Sequence, residues 1–239
     1  MAIRISAALL SLAVVAAQAS GANYTADFNS STLDPNLDVV TINNGVTPGA
    51  NPPWTVTSGG GYLTIAKGIN PTPNDDLINV VTHFATPGDF VAQVTVDWSG
   101  NANGWGGYYL YSATGATGFG FGTNGLWDSA FGGFPGGGNS GVTPTSVMTF
   151  EIARSGNTLT KSYKLAGDAN FTVLSTLTDN MVLGDAYLEM DNYSNIVPAT
   201  SLRFSDFSIQ TSAVPEPAAY ALLLGGLGCL VLSRRRLRG

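Results

Sequence analysis

FVAQVTVDW, residues Phe90 to Trp98, is the stretch on which the reading of the fold turns. Phe90, Ala92, Val94, Val96 and Trp98 fall on one side of an extended chain. Val91, Gln93, Thr95 and Asp97 fall on the other. Successive side chains of a strand point to opposite faces, so a period of two over nine residues predicts a half-buried antiparallel strand.

The same grammar extends outward in both directions. Met148, Phe150 and Ile152 alternate with Thr149 and Glu151. Leu159, Tyr163 and Leu165 share a face with Lys161, and Thr158, Thr160, Ser162 and Lys164 lie opposite. Ala186, Leu188 and Met190 alternate with Tyr187, Glu189 and Asp191. Weaker strand signals run over Thr55–Val56, Tyr62–Ala66, Ile78–Phe84, Tyr108–Ser112, Gly118–Gly122, Phe171–Leu177 and Leu202–Ile209. In the last of these, Leu202 and Phe204 are out of phase with Phe207 and Ile209, which predicts a bulge near Ser205-Asp206. Arg154-Ser155-Gly156-Asn157 reads as a hairpin turn. The glycine-rich runs Asn43–Pro53, Gly68–Asp76 and Phe131–Gly141 read as loops, and the last is expected to hold no regular element. No long helical period precedes the C-terminal tail. The expected fold is all-β: an antiparallel β-sandwich of jelly-roll type.

Both ends of the 239-residue chain read as addressing segments. Residues 1–19 have a sparse positive start at Arg4, an apolar run from Ala7 to Ala16, and Ala17-Gln18-Ala19 as a signal-cleavage site. The tail, residues 214–239, opens with Pro215-Glu216-Pro217. An uncharged apolar segment follows from Ala218 to Ser233, and Arg234, Arg235, Arg236 and Arg238 close it. This order suits a membrane-directed end, with the arginines held on the cytoplasmic side. As a helix the apolar segment spans about 24 Å at ~1.5 Å per residue, short against roughly 30 Å of hydrocarbon. Gly225, Gly226 and Gly228 weaken it further. Between the two lies one domain, residues 20–213.

That domain carries five cations, Lys67, Arg154, Lys161, Lys164 and Arg203, against fifteen acids, a formal net charge of −10. A phosphate backbone requires clustered Lys and Arg, so nucleic acid is excluded as a partner. The single cysteine, Cys229, lies in the apolar tail, so the domain has no disulfide. Its stability must come from a packed core.

The tail, read as Val-Pro-Glu-Pro, apolar helix and arginine cluster, resembles the PEP-CTERM sorting signal of proteins exported by Gram-negative bacteria. The resemblance implies an exosortase, a membrane protease that recognises Pro215-Glu216-Pro217 and removes the helix. It also implies an inner-membrane intermediate, delivery to the cell surface or beyond, and an association with extracellular polysaccharide and biofilm matrix. More loosely, Phe150–Ile209 (FEIARSGNTLTKSYKLAGDANFTVL, then AYLEMDNYS, then LRFSDFSI) resembles the laminin-G-like, concanavalin-type β-sandwich. That fold hosts lectins, glycanases and structural modules, so it leaves the function open.

The residues bear on four chemistries. Glu189 and Asp191, two apart on one strand, face the same way and are a formal pair for glycan hydrolysis. Glycanases of this fold carry Glu-x-Asp-x-x-Glu; here Ser194 stands at the last position, which removes one carboxylate. His83 is the single histidine, and no Gly-x-Ser-x-Gly elbow supplies a nucleophile, so no catalytic residue is assigned. One His and one Cys make no zinc site. Calcium is the one cofactor with ligands to spare, among them Asp75, Asp76, Asp97, Asp128, Asp185, Glu189, Asp191 and Asp206, but no Asp-x-Asp-x-Asp-Gly loop organises them.

Sugar binding has the richest residues. Trp105, Tyr108, Tyr109, Tyr111, Phe119, Phe121, Trp127, Phe131 and Phe134 crowd into thirty residues with many glycines. If Tyr108 and Leu110 point inward, Tyr109 and Tyr111 point outward beside Trp105. Trp105, Tyr109, Tyr111 and Trp127 are the candidate glycan contacts; the alternative is that these rings fill the core. The expectation is a non-enzymatic surface or matrix protein, structural or adhesive. A lectin-like module is the alternative, and a divergent glycan-active enzyme the third reading.

Overall fold

A computed structural model describes residues 23–44, 54–68, 75–86, 88–100, 105–122, 125–132, 137–178, 183–192 and 200–211. The signal segment with Ala17 and Ala19, the tail with Pro215, Glu216 and Pro217, and the loop residues Asn74, Phe134 and Ser194 lie outside these residues. Among the described residues no helix is long and apolar enough to cross a membrane.

The stretch Phe90–Asp97 forms strand β6, and its burial alternates as its sequence does. Phe90, Ala92, Val94 and Val96 are buried, and Val91 is exposed. β6 pairs on one side with β11 (Val147–Ser155) and on the other with β15 (Thr200–Thr211). From β11 the sheet continues through β12 (Thr158–Leu165) to β13 (Thr172–Thr178). From β15 it continues through β4 (Tyr62–Lys67) to β3 (Thr55–Gly59), and β1 (Tyr24–Ala26) pairs with the far half of β15. These make an eight-stranded sheet.

The second sheet has seven strands. β7 (Trp105–Tyr111), β8 (Gly115–Gly122), β9 (Gly125–Gly132) and β10 (Gly138–Asn139) form a meander at one end. β14 (Leu183–Asn192) pairs with β7, then β5 (Asp75–Thr86), then β2 (Leu37–Asn44) at the far edge. Every pairing in both sheets is antiparallel.

The core lies between the sheets. Phe150 of β11 stacks on Phe119 and Phe121 of β8, with ring centroids 4.6 and 5.3 Å apart. Tyr108 of β7 meets Phe207 of β15 edge to face at 6.3 Å. Each such side chain, fully buried, contributes about 1.5–3 kcal/mol through the apolar surface it removes from water. Lys161 of β12 shares the core face with Leu159, as its alternation predicts. It is fully buried because its ammonium forms an ion pair with Asp128 on β9, across the sandwich, and also donates to the Ser129 carbonyl at 3.3 Å. Burial pushes the Lys161 amine down, and Asp128 opposes that push.

The predicted bulge is present. The β15–β6 register shifts between Ser205 and Ser208, and Asp206 has φ of 51°, in the left-handed region. The extra residue brings Leu202, Phe204, Phe207 and Ile209 onto the core side together, all fully buried. The predicted turn also forms: Ser155 pairs with Thr158, and Gly156 at φ 57° takes the first corner.

Two expectations are corrected. Phe131–Gly141 is not devoid of regular structure, since β9 runs to Gly132 and β10 occupies Gly138–Asn139. β9 has an eight-residue partner in β8, and a paired backbone holds a strand that local composition disfavours. Asn43 and Asn44 belong to β2, and Asp75 and Asp76 to β5, rather than to the loops expected at Asn43–Pro53 and Gly68–Asp76. There the asparagines are extended by pairing with Asp76 and Asp75.

Candidate functional site

The outward face of the seven-stranded sheet is set by β7. Its residues alternate, Tyr108 and Leu110 into the core, Trp105, Tyr109 and Tyr111 away from it, as the conditional reading of the sequence has it. The aromatic run therefore divides. Tyr108, Phe119 and Phe121 fill the core, as the alternative reading expects of the set. Trp105, Tyr109, Tyr111 and Trp127 gather outside, and Phe131 joins them.

The register explains how residues far apart in the chain meet. Tyr109 lies opposite Gly118 on β8 and Tyr187 on β14; Gly107 lies opposite Gly120 and Glu189. Gly120 in turn lies opposite Trp127 on β9. The glycines form a floor without side chains. A Cβ at Gly107 would run into the Tyr109 ring, and a Cβ at Gly120 would run into Trp105. Both rings thus lie against backbone, which only glycine permits at those two positions.

On this floor the rings touch in sequence. Trp127 and Trp105 are 5.6 Å apart between centroids, Phe131 and Tyr109 5.5 Å, Tyr109 and Tyr111 6.4 Å, and Tyr111 and Tyr187 4.1 Å. Tyr109 is buried beneath its neighbours at 1% exposure, whereas Phe131 is 52% exposed. Trp105, Tyr111, Trp127 and Tyr187 are half-buried. Trp105 and Ser129 hydrogen-bond the Tyr109 hydroxyl. Two polar atoms of this face have no hydrogen-bond partner among the described residues: the Trp127 indole nitrogen and Oδ1 of Asn79, a buried residue across from Glu189.

The electrostatics are those of an acidic, partly desolvated surface. Burial drives the Tyr109 phenol above the ordinary tyrosine range, and the charge of Glu189 adds to it. Tyr111 is pushed up to about 12 by burial, then by Glu189 and Tyr187. Tyr187 is raised by burial and by Asp185. None of these phenols ionises near neutral pH, so all act as neutral rings with hydroxyl groups.

The remaining candidates are placed as follows. Glu189 sits mid-face on β14, half-buried. Asp191, two residues on, pairs with Trp105 on β7 and Leu77 on β5. His83 pairs with Asp185 along β5. The suggested calcium ligands are scattered: Asp97 bonds Arg203, Asp128 bonds Lys161, and Asp206 is at the bulge of the opposite sheet. Among the described residues no three His, Cys, Asp or Glu side chains converge as a metal site. Tyr187 is the residue the sequence reading did not assign to this group. Its alternation with Ala186 and Leu188 gave its face, but only the β14–β7 pairing puts it beside Tyr111.

Comparison with solved structures finds this architecture elsewhere. An immunostimulatory antigen and pseudo β-1,3-glucanase of Mycobacterium tuberculosis is 11% identical, with a TM-score of 0.54 over 81% of this chain and 100% of that one. A GH43 protein from Bacillus licheniformis is 14% identical, with a TM-score of 0.53 over 79% of this chain and 39% of that one. A protein of unknown function with a galectin-like fold from Bacillus subtilis is 8% identical, with a TM-score of 0.51 over 80% and 96% of the two chains. The chain has a galectin-like β-sandwich fold. At these identities the likeness extends to the fold alone. No protein-family model matches the chain, and no curated protein does.

Proposed function

We propose that the domain is a non-enzymatic glycan-binding module that works at the cell surface or in the extracellular matrix. The observation that carries this reading is the platform of Trp105, Tyr111, Trp127 and Tyr187 on a glycine floor. An outward sheet face needs only polar groups to be stable in water. Half-buried rings beside a glycine backbone offer instead an apolar surface that a sugar ring can stack on. Several neighbours of the fold are described as glucanase or galectin-like, which agrees with a carbohydrate ligand.

Delivery rests on the ends of the chain. Ala17-Gln18-Ala19 ends an export signal, and Pro215-Glu216-Pro217 with its helix and arginines is a PEP-CTERM signal for an exosortase. The bound glycan then makes the protein an adhesive component of a polysaccharide matrix. Hydrolysis is disfavoured because Ser194 replaces the third carboxylate of the glycanase pattern.

The test is a polysaccharide pull-down with the purified full chain and its Trp127→Ala variant. Binding by the first, weakened about tenfold or more in the second, is expected. Failure to retain any polysaccharide overturns the proposal. Release of reducing sugar that disappears in Glu189→Gln replaces it with an enzymatic one. Replacing Pro215-Glu216-Pro217 with alanines should leave the protein membrane-bound, with Cys229 attached; normal processing of that variant overturns the sorting part.

A further inference from the structure

The rings of the platform are gathered at its two ends. β7 has Trp105 as its first residue and Tyr111 as its last, both on the outward side. Six steps of extended chain separate them, about 20 Å at ~3.3 Å per residue. The neighbouring strands keep the same division. Trp127 of β9 lies against Trp105 at one end. At the other, Tyr187 of β14 lies against Tyr111, and Phe131 of β9 and Tyr111 flank Ala116 of β8 from either side.

Tyr109 stands between the two groups and adds no third exposed ring. It is buried, and its hydroxyl is bonded to Trp105 and Ser129. β8 passes alongside with Ala116, Gly118 and Gly120 at its outward positions, so none of its outward side chains there is larger than a methyl group. The result is two half-buried aromatic stations, Trp105 with Trp127 and Tyr111 with Tyr187, with no exposed ring of β7 or β8 between them.

We infer that the two stations hold one linear glycan at two places, so that the ligand is a run of several sugar units lying along β7 rather than a single sugar. The inference rests on the glycan-binding reading above and adds the form of the ligand to it. Each station offers its rings to the C–H face of a pyranose. A monosaccharide or disaccharide is too short to cover about 20 Å of strand and meets one station only. In a longer chain the second contact becomes intramolecular. Once one station is engaged, the other meets its sugar at a high effective concentration, and affinity rises with no new kind of contact. The gain stops when the chain spans both.

The experiment is affinity electrophoresis of the full chain, in mild detergent, through gels holding laminarin, xylan, hydroxyethylcellulose or alginate. Free oligosaccharides of the retarding polymer, from monosaccharide to hexasaccharide, are added as competitors. Retardation by at least one polymer is expected. The competitor concentration that halves it should fall with chain length and then level off, the hexasaccharide being stronger than the disaccharide by about tenfold or more. Trp127→Ala and Tyr111→Ala, each folded by circular dichroism and run at higher polymer content, should bring the two competitors to within about threefold of each other, because each variant keeps one station. A disaccharide that competes with the unaltered chain as well as the hexasaccharide does would overturn the length inference and leave the glycan-binding reading intact. So would a length dependence that survives undiminished in both variants. No retardation by any polymer removes both.

Discussion

On the eight-stranded sheet the side chains that point away from the core include Gln93, Thr95, Asp97, Thr149, Glu151, Ser162, Lys164, Arg203 and Gln210, with the exposed Tyr62, Val91 and Val173 set singly among them. On the seven-stranded sheet their counterparts include Trp105, Tyr109, Tyr111, Trp127, Phe131 and Tyr187, set among glycines and beside Asn79, Ser129 and Glu189. The first set is stitched by polar contacts between neighbouring strands: Gln93 to Glu151 at 2.6 Å, Thr95 to Thr149 at 3.0 Å, and Arg203 to Asp97. That is what half-buried strands need in water, and it requires nothing further. The second face departs from that requirement with large rings that no other sheet covers. The two faces share one core and one fold, and it is the second that carries the platform proposed to bind a glycan.

The strongest way to probe the comparison is to cut the ion pair that crosses between the sheets. Asp128→Ala leaves the Lys161 ammonium buried without its carboxylate and should cost about 3 kcal/mol in chemical denaturation. Combining it with Lys161→Met should recover most of that loss, because an apolar pair of similar size has no charge to desolvate.

Next comes the glycine floor. Gly120→Val should cost about 1–3 kcal/mol, as its side chain displaces Trp105, and it should abolish glycan retardation as well. Gln210→Ala, on the outward side of the other sheet, should stay within about 0.5 kcal/mol and leave binding unaltered. A smaller effect is expected from Tyr111→Ala, which removes the ring whose centroid lies 4.1 Å from that of Tyr187: binding about tenfold weaker, with Lys164→Ala as the silent control on the opposite face.

The smallest effect separates the sheets by pH. Lys67, buried over the Trp54 ring, is lowered by burial to about 8. Between about 8 and the ordinary lysine value of 10.5 the unfolded chain holds the extra proton, so stability rises with pH there. Tyr111 is raised from 10.0 to about 12, so above pH 10 the folded chain holds the extra proton and stability falls. The melting temperature should therefore climb from about pH 8 to about pH 10 and then decline. Lys67→Met should flatten the climb, and Tyr111→Phe should soften the decline.

Much of the sandwich was legible in local alternation. Phe90–Asp97 buries the face its pattern assigns, and the phase break in Leu202–Ile209 marks the bulge at Asp206. Alternation also split Tyr108 from Tyr109. It did not reveal β9, whose end enters the glycine-rich run, or β10 inside that run, because those strands are held by hydrogen bonds to β8 and to each other rather than by their own propensities. Tyr187 illustrates the same limit at the site. Its face was readable, yet its neighbour Tyr111 is supplied by a strand that precedes it by some seventy residues.

The bulged strand β15 has a consequence in time. It lies at the centre of its sheet, joined to β6 along most of its length, to β4 before the bulge and to β1 after it. It is also the last strand in chain order among the described residues. A chain made from its N-terminus therefore produces β1, β4 and β6 as separate edges that wait for their shared partner. Sheet closure of this kind is long-range and slow. The domain must remain unfinished until nearly its whole length has appeared, which keeps it in a threadable state for as long as it is being made.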